Sequence, residues 1–187
     1  MSQVRFATVR DLFDSYPSAS GDVGPADGTM RSLDFVRSLV GKKEWPPAVS
    51  FCAYLLPRRV AVAWACRSTR RILGELRTDE ERMLGFAEDW VREPEEPRRR
   101  KVLASGTMGD KRSPATWVAL AAGWSGGSVV PEDMGYAPAD PEQTAKAVRV
   151  ALFIALSRLE GDAKHRVMTA CLEDGILLAS GGSISSR

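Results

Sequence analysis

Gly123-Trp124-Ser125-Gly126-Gly127 has the G-x-S-x-G spacing of a nucleophile elbow, the turn that aims a serine at a histidine further along the chain. His165, the one histidine, does follow Ser125, and Asp133, Asp140 and Asp162 lie between them. The elbow works because a strand feeds a strained turn. Here Trp117 to Ala122 read as a helix with glycines at its end, and no oxyanion-loop motif precedes them. The pattern therefore predicts helix capping, with a small hydrolase-like enzyme using the Trp124–Ser128 loop as the alternative.

Other chemistries find fewer residues. Cys52, Cys66 and Cys171 are scattered and, with a single histidine, make no recognisable zinc set, and no loop has the EF-hand spacing. Gly106-Thr-Met-Gly109-Asp-Lys111 lacks phosphate-loop spacing. Carboxylate pairs such as Glu80-Glu81 and Glu88-Asp89 diverge by about 100° on a helix, which predicts solvated faces rather than an acid and base acting together. His165, between Lys164 and Arg166, reads as an exposed rim residue. No catalytic residue, metal or cofactor is expected. The remaining candidates are contact residues. Trp64, Arg67 and Arg71 fall in one arc of a helix, where they could stack on nucleobases or receive an acidic protein segment. The competing expectation is a second helix packed there, with the arginines paired to acids between Asp79 and Asp89. Trp124, Ser125, Gly126, Gly127 and Ser128 form the second candidate contact surface.

Helices must position these residues. Met30, Leu33, Val36, Leu39 and Val40 recur near the 3.6-residue period, with Gly41 placed for a left-handed C-cap. Pro46-Pro47 opens a helix that stops before Pro57, and Arg58 to about Leu76 carries a core stripe through Val62, Ala65, Thr69 and Ile72. Thr78 and Glu81 read as a capping box. Glu95 to Ala104 predicts a short charged helix, and Ser113-Pro114 starts another. The helix opened by Asp140-Pro141 and running to Glu160 is the most apolar, hence expected at the centre. Ser18 to Gly28 and Ser128 to Pro141 have loop composition. No period-two run demands a sheet. The expected fold is an all-α, single-domain bundle of about seven helices in antiparallel pairs around the Asp140–Glu160 helix. Residues 1–28 form a flexible arm and loop in this scheme, residues 29–179 the helical domain and residues 180–187 a flexible tail.

The chain of 187 residues has 26 basic and 24 acidic side chains and is 44% hydrophobic, the balance of a globular protein. The basic excess lies in residues 41–112, with 16 basic and 11 acidic groups. Acids such as Glu93, Glu95 and Glu96 dilute the run Arg98-Arg99-Arg100-Lys101, which disfavours a nucleic-acid face and leaves a nucleic-acid-binding regulator as a lesser alternative. No apolar run approaches the ~18 residues of a membrane span, no signal segment is read, and the cysteine pattern suits a reducing compartment. A cytoplasmic protein of unknown oligomeric state is expected.

Three further segments carry a family resemblance: Cys52-Ala-Tyr-Leu-Leu-Pro-Arg-Arg59 with Ala63-Trp-Ala-Cys66, Ala87-Glu-Asp-Trp-Val-Arg-Glu-Pro94, and Trp117-Val-Ala-Leu-Ala-Ala-Gly-Trp-Ser-Gly-Gly-Ser128. Over about residues 48–160 the chain resembles an uncharacterised bacterial helical domain family whose members are often encoded near type VI secretion genes. The resemblance supplies no catalytic residues. It implies a cytoplasmic accessory or adaptor whose protein partner is a secretion-system component or effector. Together these observations predict a non-enzymatic protein-interaction module.

Overall fold

The computed structural model describes residues 4–183. In chain order its helices are α1 Val9–Ser15, α2 Pro17–Val23, α3 Ser32–Gly41, α4 Trp45–Leu55, α5 Arg58–Leu73, α6 Thr78–Arg92, α7 Glu96–Met108, α8 Pro114–Gly123, α9 Gln143–Leu156 and α10 Gly161–Ala179. A 3-10 turn, Glu132–Met134, and two isolated bridges complete the secondary structure of the described residues. The class is all-α, as expected, with ten α-helices rather than seven. The helices group into two compact units, Arg58–Leu159, and residues 4–57 together with 160–183.

The first unit contains α1 to α4 and α10. Thr8 starts α1 with a capping box: its hydroxyl accepts the Asp11 N–H at 3.3 Å, and its own N–H donates to the Asp11 carboxylate at 2.8 Å. Residues 18–28, expected to be loop, are helical as far as Val23. Pro17 supplies a preset φ at the first turn, and Ala19 and Val23 are buried in a helix that packs on α4, so burial outweighs the poor helix propensity of Ser and Gly. Residues 1–3 of the expected arm and 184–187 of the expected tail lie outside the described residues. Phe51 of α4 takes the edges of Phe13 and Phe35, with centroids 6.4 and 4.8 Å away.

The end of α3 departs from expectation. Gly41 belongs to the helix, and Lys43, at φ 61°, takes the left-handed position. Glu44 N–H donates to Leu39 O at 2.9 Å and Lys43 N–H to Val40 O at 3.0 Å, a Schellman closure with lysine where glycine is usual.

The second unit is built around α8, not α9. Nine of the ten α8 residues are buried, and α5, α6, α7 and α9 all pack against it. Its alanines and Gly123 leave room for four neighbours, whereas α9 keeps Arg149, Val150, Phe153 and Ile154 only half-buried on an outer side. Large apolar residues made α9 look central, but small ones determine which helix can be surrounded. The tightest packing is between α7 and α8. A Cβ on Gly123 would lie 2.7 Å from the Leu103 side chain, and one on Gly106 would lie 2.9 Å from Leu120 N. Gly109 similarly abuts Thr116, so the two helices run antiparallel. Gly123→Ala is expected to destabilise the fold by about 1–3 kcal/mol through overpacking. Gly126→Ala, where nothing lies within 4 Å of the added carbon, should stay within about 0.5 kcal/mol. Urea unfolding of the two variants checks the contrast.

Candidate functional site

A helix leads into Ser125, so the strand an elbow requires is missing. The Ser125 hydroxyl donates to Ala122 O at 2.6 Å, which closes the end of α8, and Ser125 O accepts from Arg58 at 3.0 Å. The glycines predict the cap, but the C-cap is Trp124 at φ −90°, and Ser125 rather than Gly126 or Gly127 makes the bond to the helix end. Trp124 is half-buried just after α8, and Gly127 adopts φ 62°.

Arg99 holds the Gly126-Gly127 turn from beneath. Its side chain is buried, its guanidinium donates to Gly123 O and, at 2.8 Å, to Ser128 O, and Glu96 accepts from Nε and Nη2 at 2.7 and 2.6 Å. The planar fork thus meets two carbonyls that α8 and its loop leave without helical donors. A Cβ at Gly127 would lie 2.7 Å from that guanidinium, so close approach and positive φ both require glycine there. The two arginines on Glu96, Arg99 first, hold its carboxyl below the ordinary range.

The loop beyond is closed on itself. Buried Ser128 accepts the N–H groups of Val130 and Ala137 on its hydroxyl, at 3.3 and 3.2 Å, and Val129 N–H donates to Ala137 O at 2.8 Å. Arg100 reaches from α7 to Val130 O at 2.6 Å. Between loop and helix lies an apolar groove of about 460 Å³, lined by Leu103, Ala104, Thr107, Val130 and Pro131 with Arg100 at its edge. Met108 ends α7 at 88% exposure, and the same loop exposes Met134 and Tyr136.

The remaining residues of the basic run stay at the surface but are engaged there. Arg98 pairs with Glu93, and Lys101 sits 4.1 Å from the centre of the Phe86 ring. In the sequence Arg99 is one member of a basic run, but Arg99, Val102, Leu103 and Gly106 share the i, i+3, i+4, i+7 face of α7. That spacing is the signal that identifies it.

Trp64 requires correction as a contact residue. It is fully buried, because α5 is packed by α6, α8 and α9. Arg67 and Arg71 are half-buried and engaged by neighbours. Arg70 makes the helix-to-helix ion pairs, with Glu81 at 2.8 Å and Glu88 at 2.6 Å. The capping box shifts by one residue: Glu80, not Glu81, accepts the N-cap N–H, that of Arg77, at 3.3 Å. This turns Glu80 inward, where its carboxylate, 2% exposed, accepts from Ser113 Oγ at 2.8 Å and lies 3.5 Å from Arg158. The cluster ties α6 to the start of α8 and the end of α9.

His165 is exposed, as expected, with its ring edge-on to Trp45 at 5.9 Å. The three cysteines are free and buried, and burial pushes the thiols of Cys52 and Cys66 far above the ordinary range, which makes them poor nucleophiles. Among the described residues no group of three or more His, Cys, Asp or Glu is placed to hold a metal ion, and no helix is long and apolar enough to cross a membrane.

Helices packed in two units, with an arginine-braced loop beside an apolar groove, define an all-α protein of uncharacterised type. The chain belongs to a family of unknown function, DUF6931, whose model matches residues 35–179. No curated protein and no solved structure matches it.

Two outcomes follow for the braced loop. Arg99→Met, which leaves Gly123 O and Ser128 O without their donor, should destabilise by about 2 kcal/mol and speed amide exchange over residues 126–130. Because folding lowers the Glu96 pKa, its contribution is present above the ordinary value of 4.5 and fades as pH falls through the lowered folded value. Glu96→Gln should therefore flatten the acid limb of a Tm-against-pH curve and leave its shape near neutrality.

Proposed function

We propose that the protein is a non-enzymatic protein-interaction module, a cytoplasmic accessory or adaptor that receives an apolar segment of a protein partner in the groove between α7 and the loop after Ser128. The observation that carries this reading is the brace itself. Arg99 and Arg100 fix the loop wall so that Val130 and Pro131 face Leu103 and Ala104 across a preformed apolar gap, beside a methionine left in solvent. Exposed methionine suits such a surface because its flexible, polarisable chain adapts to a partner's shape. A preformed gap also spares the ordering cost that binding would otherwise incur.

The uses of the arginine run support a protein rather than a nucleic-acid partner. Arg98, Arg99 and Arg100 are each engaged by an acid, and Arg99 and Arg100 also by carbonyls, which leaves no ladder of free cations for phosphates. A hydrolase at Ser125 would have to break the bond from that hydroxyl to Ala122 O. The motif resemblance over residues 48–160 supplies the context, in which the partner is a component or effector of a contractile secretion apparatus.

The test is pairwise titration of the purified chain against each purified product of the genes flanking its own. One of them should bind, and Ala104→Glu, which puts a charge in the groove from an exposed position, should weaken that binding at least about tenfold without lowering Tm. If no product binds, or if Ala104→Glu binds as well as the wild type, the reading is wrong.

A further inference from the structure

A second surface, in the other unit, carries an inference independent of the α7 groove. α10 presents a stripe at helical spacing, Thr169, Ala170, Glu173, Ile176 and Leu177, beside the C-terminal end of α3. Two hollows of about 540 and 340 Å³ lie along it and share Val40 and Glu173, so they form one groove. One end holds Trp45 against His165, and the other holds Leu177, 44% exposed. From His165 to Ser180 the helix rises about 22 Å, the length of a helical peptide of about 15 residues.

Charge sets this groove apart. Its lining carries Arg37, Lys43 and Arg166 against one carboxylate, Glu173. Arg37 is paired with Asp34 at 3.4 Å, but no acid among the described residues pairs with Lys43 or Arg166. Lys43 also occupies the one positive-φ position held by a residue other than glycine among those described. A side chain there strains the backbone, and glycine would close the same Schellman motif without that strain. The fold therefore tolerates a strained residue that lines the groove at the end that holds Trp45.

We propose that the groove between α3 and α10 docks an acidic amphipathic helix of a protein partner. Its apolar side chains would lie along Val40, Trp45, Ala170 and Leu177, and its carboxylates would meet Lys43 and Arg166. This is the helix-in-groove mode, in which apolar anchors recur every three or four residues and flanking charge selects the partner.

Selection from a random peptide display library on the immobilised full chain tests the proposal. The enriched peptides should carry Asp or Glu between apolar residues spaced three and four apart, and the tightest of them should bind less well as salt is raised. The double variant Lys43→Gly, Arg166→Ala should lose about tenfold in affinity for that peptide, the effect of two charge contacts of modest strength. Its melting temperature should not fall, since Lys43→Gly relieves the left-handed strain. A purely structural role for Lys43 would leave affinity unchanged. Absence of enrichment, enrichment of peptides without acidic residues, or equal affinity of the double variant would each overturn the proposal.

Discussion

The buried Arg99 guanidinium is the contact on which the second unit's surface depends. Taking a charge out of water costs several kcal/mol unless every donor is met, and here one carboxylate and two carbonyls meet it. The carbonyls are the reason the position works. The end of α8 must leave backbone oxygens without partners, and α8 is too enclosed for water to serve all of them. An arginine in the first turns of α7 reaches them because the two helices run antiparallel at a distance that Gly106 and Gly123 permit. Backbone approach, helix termination and loop position are therefore one constraint. A side chain at Gly127 would displace the guanidinium, and a larger residue at Gly123 would separate the helices.

The same constraint decides how much of the molecule the sequence discloses. Helix starts marked by proline, at Pro46-Pro47 and Pro114, are legible because a fixed φ and a missing donor act locally. So is the general location of helices from α3 to α10, where apolar spacing repeats over several turns. What is not legible is set by partners distant in the chain. Thr78-Asp79-Glu80-Glu81 offers several capping registers, and Ser113 and Arg158, from α8 and the end of α9, stabilise the one that turns Glu80 inward. Residues 17–23 have loop composition and become helix because α4 supplies a surface for Ala19 and Val23.

The candidate contact residues divide on the same ground. Trp124 to Ser128 stand out by glycines and a serine at a helix end, a local signal, but the groove is lined by the residues after them, Val129 to Pro131, and by α7. Trp64 was chosen by subtraction, as lying opposite a core stripe. Subtraction fails for α5, whose small residues let neighbours bury Trp64 as well as the core stripe. Arg99 stands among four consecutive basic residues, and it alone of the four lies on the buried face of α7. In a charged run on a helix, the apolar positions three, four and seven residues away are more informative than the run itself.

The part of the basic surplus that lies in the second unit, over residues 58–112, has an internal explanation. Acids do not balance it, but helix C-termini carry partial negative charge on their last carbonyls, and these act as counterions. Arg59 donates to Val91 O at 2.6 Å and Arg92 O at 3.0 Å at the end of α6, and Lys111 donates to Gly106 O at 2.8 Å at the end of α7. Arg99 does the same for α8. Such cations are committed to ending helices, so the excess needs no polyanion outside the molecule to account for it. Formal charge counts treat every arginine as equivalent, but a guanidinium held on a helix end has part of its charge offset by the partial negative charge of the last carbonyls. Lys43 and Arg166, in the first unit, pair with no acid among the described residues, which is the charge that the proposed acidic helix would meet.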